Sequence, residues 1–136
     1  MRTPFLPVLA VLFLWGVWPL LAKVSVGRLG NQALWWSYWA GLAVVGLYLL
    51  WSGEPMLPKD RLGLVASLGS GTAVAVGSLF FYELLRRQPA SVVAFLTGLY
   101  PVISLLLGWL LLQERPTPGQ MAGIVLAATA IVLLTR

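Results

Sequence analysis

The amino-acid sequence predicts an all-α membrane protein with about five transmembrane helices. Three observations predict it. Hydrophobic residues make up 60% of the chain and charged residues 10%. The apolar residues fall into five long stretches, and glycines, prolines and charges gather between them. A soluble domain carries roughly 25% charged residues. A soluble chain of 136 residues would keep too much of its surface wet to hide this much apolar side chain. A bilayer removes the problem because it is itself the apolar solvent.

A spanning helix needs about 20 mostly apolar residues. The first such stretch covers about residues 5–22. Arg2 and the apolar run fit a secretory leader, but no small-x-small cleavage site follows. Trp15, Trp18 and Pro19 crowd the place where one is needed, so the segment is expected to stay as a span. The second stretch, about 33–51, carries no charge. Trp35, Trp36, Tyr38 and Trp39 lie near its start. Two readings stand for them: an aromatic belt at the headgroups, or a ring lining a substrate path.

The third stretch, about 62–85, is charged only at Glu83 and rich in small residues, with Ser67 and Gly71, and Ala73 and Gly77, four apart. Small residues at that spacing let helix backbones approach closely in lipid. The fourth stretch covers about 90–112 and the fifth about 120–135. Gly119, Gly123 and Ala127 give the fifth a small-xxx-small pattern that suits a dimer seam or packing within one chain. The connections hold Gly27-Arg28-Leu29-Gly30, Ser52-Gly53-Glu54-Pro55, Arg86-Arg87-Gln88-Pro89 and Glu114-Arg115-Pro116-Thr117-Pro118-Gly119. Glu114 and Arg115 read as boundary markers. No stretch has the strict alternation of a barrel strand.

Composition also excludes functions. The chain has no cysteine and no histidine, so disulfides, thiol chemistry, the commonest metal ligand and the usual general base are absent. It has no Walker-type loop and no nucleophile–base constellation. No metal site, no cofactor, no catalytic residue and no enzyme activity are therefore expected. The net charge of +5 is spread over connections and ends rather than along a basic stripe, so nucleic acid is not the expected partner. Membrane lipids are, because anionic headgroups attract basic residues beside a span.

Five crossings put the two ends on opposite sides. One side then receives Arg2, Lys59, Arg61 and Arg115, and the other Lys23, Arg28, Arg86, Arg87 and Arg136. The positive-inside rule gives almost no bias from such a balance. Two insertions are consistent with it: one fixed orientation, or both, with two copies forming an inverted pair around a midplane site.

Two prolines fall inside spans. Pro19 and Pro101 deprive the carbonyls of Trp15 and Thr97 of their usual donors. Broken helices of this kind often mark transporter sites. An ionisable residue in or beside a span is a functional candidate by default. Lys23, at the end of the first helix, either attracts an anionic substrate group or snorkels to the headgroups. Glu83 either faces a cationic group or pairs with Arg86 and Arg87, three and four residues on.

The second half carries Ala90-Ser91, Leu99-Tyr100-Pro101-Val102, Glu114-Arg115, Gln120 and Gly123, and the first helix Trp15-Gly16 with Lys23 at its end. In order and spacing these resemble the EamA-type family of the drug/metabolite transporter superfamily, over nearly the whole chain. Typical EamA-type exporters carry two five-helix units in tandem. The resemblance implies that residues 1–136 form one such unit, a single EamA-like transmembrane domain, which dimerises in inverted fashion. The stretch from Ile103 to Arg136 also resembles the end of small multidrug resistance proteins. Those antiporters use a glutamate eight residues before a lysine in the first helix. Here the residue eight before Lys23 is Trp15, so their proton-coupling carboxylate is absent.

The expectation is a multi-pass transporter of the plasma membrane, a metabolite or drug exporter. It would work by alternating access as an inverted homodimer or with a similar paired chain. Its pathway residues would be Trp15, Trp18, Thr97, Tyr100 and Pro101, with Lys23 and Glu83 behind them. The alternatives are a lipid-linked sugar or lipid flippase subunit, and a non-transporting membrane accessory protein.

Overall fold

A computed structural model of the chain describes residues 5–55 and 57–134, except for the side chains of residues 131 and 134. Arg2, Arg136 and the predicted end of the last helix at residue 135 lie outside the described residues. The described residues form helices and no strand: α1 (Phe5–Leu29), α2 (Gln32–Ser52), α3 (Arg61–Arg87), α4 (Ala90–Thr97), α5 (Tyr100–Leu112) and α6 (Pro118–Leu134). The chain divides into two units, Met1–Ala90 and Ser91–Arg136. Among the described residues, four stretches are long and apolar enough to cross a membrane: α1, α2, α3, and Ala90–Leu112, which spans α4 and α5. α6 has 17 residues, at the lower end of the roughly 17–25 a span requires.

In the first unit α1, α2 and α3 pack against one another. α1 is longer than its apolar stretch predicts. It continues past Ala22 through Lys23 and Arg28 to Leu29, so Gly27, Arg28 and Leu29 are helix rather than connection. Gly30 ends it at φ 57°, a left-handed conformation that costs glycine little. Its N–H bonds the Val26 carbonyl at 2.9 Å. Gly53, at φ 70°, ends α2 in the same way with a bond to the Leu49 carbonyl. Asp60 starts α3 by accepting from the N–H groups of Leu62 (3.2 Å) and Gly63 (2.8 Å), which satisfies two donors that a helix start leaves over.

The buried residues of this unit sit at one end. Ala22 and Val26 come from the last turns of α1, Ala33 from the start of α2, and Phe81, Tyr82 and Leu85 from the last turns of α3. Large apolar side chains elsewhere are exposed, as lipid-facing helices require. Among the described residues, nothing lies within 4 Å of where a Cβ would stand on Gly69, Gly71 or Gly77 of α3.

In the second unit Ala90–Leu112 is one apolar stretch of 23 residues, as expected over 90–112, and its helix is interrupted by a turn at Gly98 and Leu99. Pro101 stands at the start of α5 and withholds the N–H that would bond the Thr97 carbonyl. The Thr97 hydroxyl bonds back to the Val93 carbonyl at 2.7 Å, an arrangement that bends helices. At Gly98 a Cβ would stand 3.1 Å from the Ala94 carbonyl oxygen and 3.2 Å from that of Phe95, so the break leaves little room for a side chain. α6 opens on a reciprocal cap. The Gln120 side chain accepts from the Thr117 N–H at 2.7 Å, and the Thr117 hydroxyl accepts from the Gln120 N–H at 3.3 Å. Pro118 follows at the first helical position, where its missing N–H costs nothing.

Candidate functional site

The first unit holds a groove of about 420 Å³ lined by residues of all three of its helices. Trp18 comes from α1, Ser37 and Tyr38 from α2, and Ser78 and Tyr82 from α3. Leu34, Leu42, Val45 and Val74 supply an apolar wall. With a rise of about 1.5 Å per residue, Ser37 lies about 8 Å and Val45 about 20 Å from the start of α2. The groove therefore extends along about 12 Å of α2.

Four hydroxyls bridge α2 and α3 in two pairs. Ser37 and Tyr82 are 2.9 Å apart, and the Tyr38 hydroxyl donates to Ser78 Oγ at 3.1 Å. Proton counting orients the first pair. The one proton of Ser37 goes to the Ala33 carbonyl at 2.8 Å, so Tyr82 donates to Ser37. Both phenol oxygens then keep acceptor capacity. The Ser78 proton has no acceptor among the described residues. Trp18 stacks on Phe81, with ring centroids 4.7 Å apart and 12° between planes. That contact sets one wall of the groove against the buried end of α3.

Of the predicted pathway residues, Trp18 lies in this groove. Trp15 is on the same helix and 61% exposed. Lys23 is held at the end of α3, donating to the carbonyls of Leu85 and of Gln88 (3.0 Å). Glu83 accepts from Arg87 Nε at 2.8 Å and lies 3.6 Å from Arg86. Arg86 in turn reaches Asn31 Oδ1 at 3.3 Å and ties the end of α3 to the α1–α2 turn. Thr97, Tyr100 and Pro101 stand together at the α4–α5 break in the second unit. The second unit also has a smaller cavity of about 280 Å³ beside Ser104, Glu114, Arg115 and Gln120.

Ser37, Ser78 and Tyr82 were not among the predicted site residues. The available signal was spacing: Ser78 and Tyr82 are four apart on one helix face, and Ser37 adjoins Tyr38 in an otherwise apolar run. The tryptophans of α2 divide from Tyr38. Trp35, Trp36 and Trp39 are at least half exposed, with Trp35 and Trp39 edge to face at 5.7 Å. Tyr38 turns into the groove.

Long apolar helices with largely exposed apolar side chains define a multi-pass membrane protein. The EamA-like transporter family model matches residues 3–136, and the chain belongs to that family, within the drug/metabolite transporter superfamily. Its members are transporters of small molecules rather than enzymes. The chain is also 34% identical over 101 residues to an uncharacterized protein of Methanocaldococcus jannaschii, a match covering 71% of this chain and 74% of that protein. No solved structure matches.

Proposed function

We propose that this chain is a metabolite or drug exporter of the plasma membrane, with residues 1–136 forming one EamA-like domain. It acts by alternating access as half of an inverted pair, with a second copy or a similar chain. The observation that carries the reading is the groove, where two hydroxyl pairs and the Trp18 ring line a space shared by α1, α2 and α3. A spanning helix bundle has no structural need for such a space, and ligand sites of about 300–1,000 Å³ combine an apolar wall with a few placed polar groups. The balance of basic residues supports the inverted pair.

The proposed path comprises Trp15, Trp18, Thr97, Tyr100 and Pro101, extended by Ser37, Tyr38, Ser78 and Tyr82. Lys23 and Glu83 follow them as further candidates for the path. Flux through purified protein in liposomes, across a metabolite panel, tests the proposal. Trp18→Ala is expected to cut flux of a transported solute at least about tenfold, the loss of one well-made contact. If Trp15→Ala and Tyr100→Ala both leave that flux unchanged, those two residues are not on the path.

A second reading, a lipid-linked sugar or lipid flippase subunit, is favoured by the apolar wall of Leu34, Leu42, Val45 and Val74. Scrambling of a fluorescent lipid in the same liposomes, with no flux of water-soluble metabolites, would decide for it.

A further inference from the structure

Resting on the reading of the groove as the substrate path, we infer that its substrate is an uncharged amphipathic molecule. This molecule has a flat apolar part and a group that both donates and accepts hydrogen bonds, such as a primary amide. Among the described residues, no lysine, arginine, aspartate or glutamate lines the groove. The charges nearest in sequence are already committed at the end of α3. Lys23 caps carbonyls there, and Glu83 is shared between Arg87 and Arg86.

Each charged class of solute meets a specific obstacle. A cation finds no counter-charge among the described residues that line the groove. The aromatic rings offer it some attraction, but one face of Trp18 is already covered by Phe81. An anion loses its water without a cation to replace it. A neutral solute has neither cost. It meets what the groove still offers: lone pairs on the Tyr38 and Tyr82 oxygens, and the Ser78 proton, which has no acceptor among the described residues. A primary amide or a hydroxyl matches that combination of acceptors and donor, and the apolar wall takes the flat part.

The test is equilibrium binding to the full chain in lipid nanodiscs at neutral pH, corrected with empty nanodiscs. The probes share one ring system and differ in charge: indole-3-acetamide, indole-3-acetate and tryptamine. The amide is expected to bind about tenfold more tightly than either charged probe. Tyr38→Phe and, separately, Ser78→Ala are expected to weaken the amide by about tenfold each, one hydrogen bond's worth, with helix content unchanged. If acetate or tryptamine binds as tightly as the amide and Tyr38→Phe still weakens it, the neutral-substrate inference fails while the groove stands. Amide binding that neither variant alters overturns the groove reading and the inference with it. Absence of saturable amide binding also overturns the inference.

Discussion

The ammonium of Lys23 on α1 donates to the carbonyl of Leu85 on α3, whose usual partner four residues on is Pro89 and has no N–H to give. The same ammonium bonds the Gln88 carbonyl at 3.0 Å. Lys23 thus closes the end of α3 from a neighbouring helix, and its charge sits at the negative end of the helix dipole. The buried Leu85 and Val26 stand beside this contact in sequence, where an unsatisfied carbonyl is costly.

Lys23→Met is therefore expected to lower stability by about 1–2 kcal/mol, the cost of leaving a largely buried acceptor without its donor. Pro89→Ala restores a backbone N–H at the right distance along the chain. It should recover part of that loss in the double variant while changing little alone. Thermal unfolding of the four proteins in nanodiscs completes the cycle. Additive losses would show that the lysine and the proline do not share the Leu85 carbonyl.

This contact also explains what the sequence hid. The spans were legible because apolar run length and the positions of glycine and proline report directly on helices in lipid. The end of α1 was not. A lysine after an apolar run reads as a boundary, yet Lys23 lies six residues before the helix stops, because α3 supplies its acceptors. The groove was half legible. Trp18 was named as a pathway residue, and Tyr38 fell within the aromatic cluster. Ser37 and Tyr82 meet across 45 positions, a pairing that no local pattern reveals. The α4–α5 break was visible as Pro101 but not in extent, since the Thr97 back-bond adds to it.

Glu83 makes an i, i+4 pair with Arg87 at 2.7 Å, and its side chain is 46% exposed. Pairs of this kind contribute about 0.3–0.5 kcal/mol. Glu83 also pairs with Arg86 at 3.6 Å, so Glu83→Gln is expected to cost no more than about 1 kcal/mol, the sum of two such pairs. A loss above about 1 kcal/mol in the same unfolding assay would mean that the carboxylate has a deeper role than these exposed pairs give it.

The α4–α5 break predicts opposite effects on order and on transport. Pro101→Ala returns the N–H that the Thr97 carbonyl lacks and lets the helix run on through Gly98 and Leu99. Amide exchange at residues 98–102 should slow, since helical amides open less often. Flux should fall if the break shapes the path. Slower exchange with full flux would assign the break to folding alone.

The cap on α6 is a local device with a local test. Thr117 and Gln120 satisfy each other's backbone N–H groups, and Thr117→Ala removes one side of the pair. A lost cap costs about 1 kcal/mol. α6 has 17 residues, so fraying of its first turn would leave it short of the roughly 17 a span needs. Expression in the membrane should drop for Thr117→Ala and return with Thr117→Ser, which keeps the hydroxyl. Equal expression of all three proteins would show that α6 inserts without its cap.

Orientation gives the last prediction, and the fold makes it specific. Arg86 reaches Asn31 at 3.3 Å, which places the end of α3 beside the α1–α2 turn and gathers Lys23, Arg28, Arg86 and Arg87 at one end of the first unit. Five crossings would set against these four Lys59, Arg61 and Arg115 on the other side, with Arg2 and Arg136 at the chain ends. A balance this close inserts both ways if loop charge alone decides. Reporters fused to the C-terminus should then give signal from both sides of the membrane. Replacing Arg86 and Arg87 with alanine removes two charges from one side, so most chains should adopt the orientation that keeps Lys59, Arg61 and Arg115 in the cytoplasm. Inverted pairing should weaken with it, and flux should return when a copy biased the other way is co-expressed. A C-terminal signal confined to one side for the unaltered chain would rule out the inverted homodimer and leave pairing with a different, oppositely inserted chain.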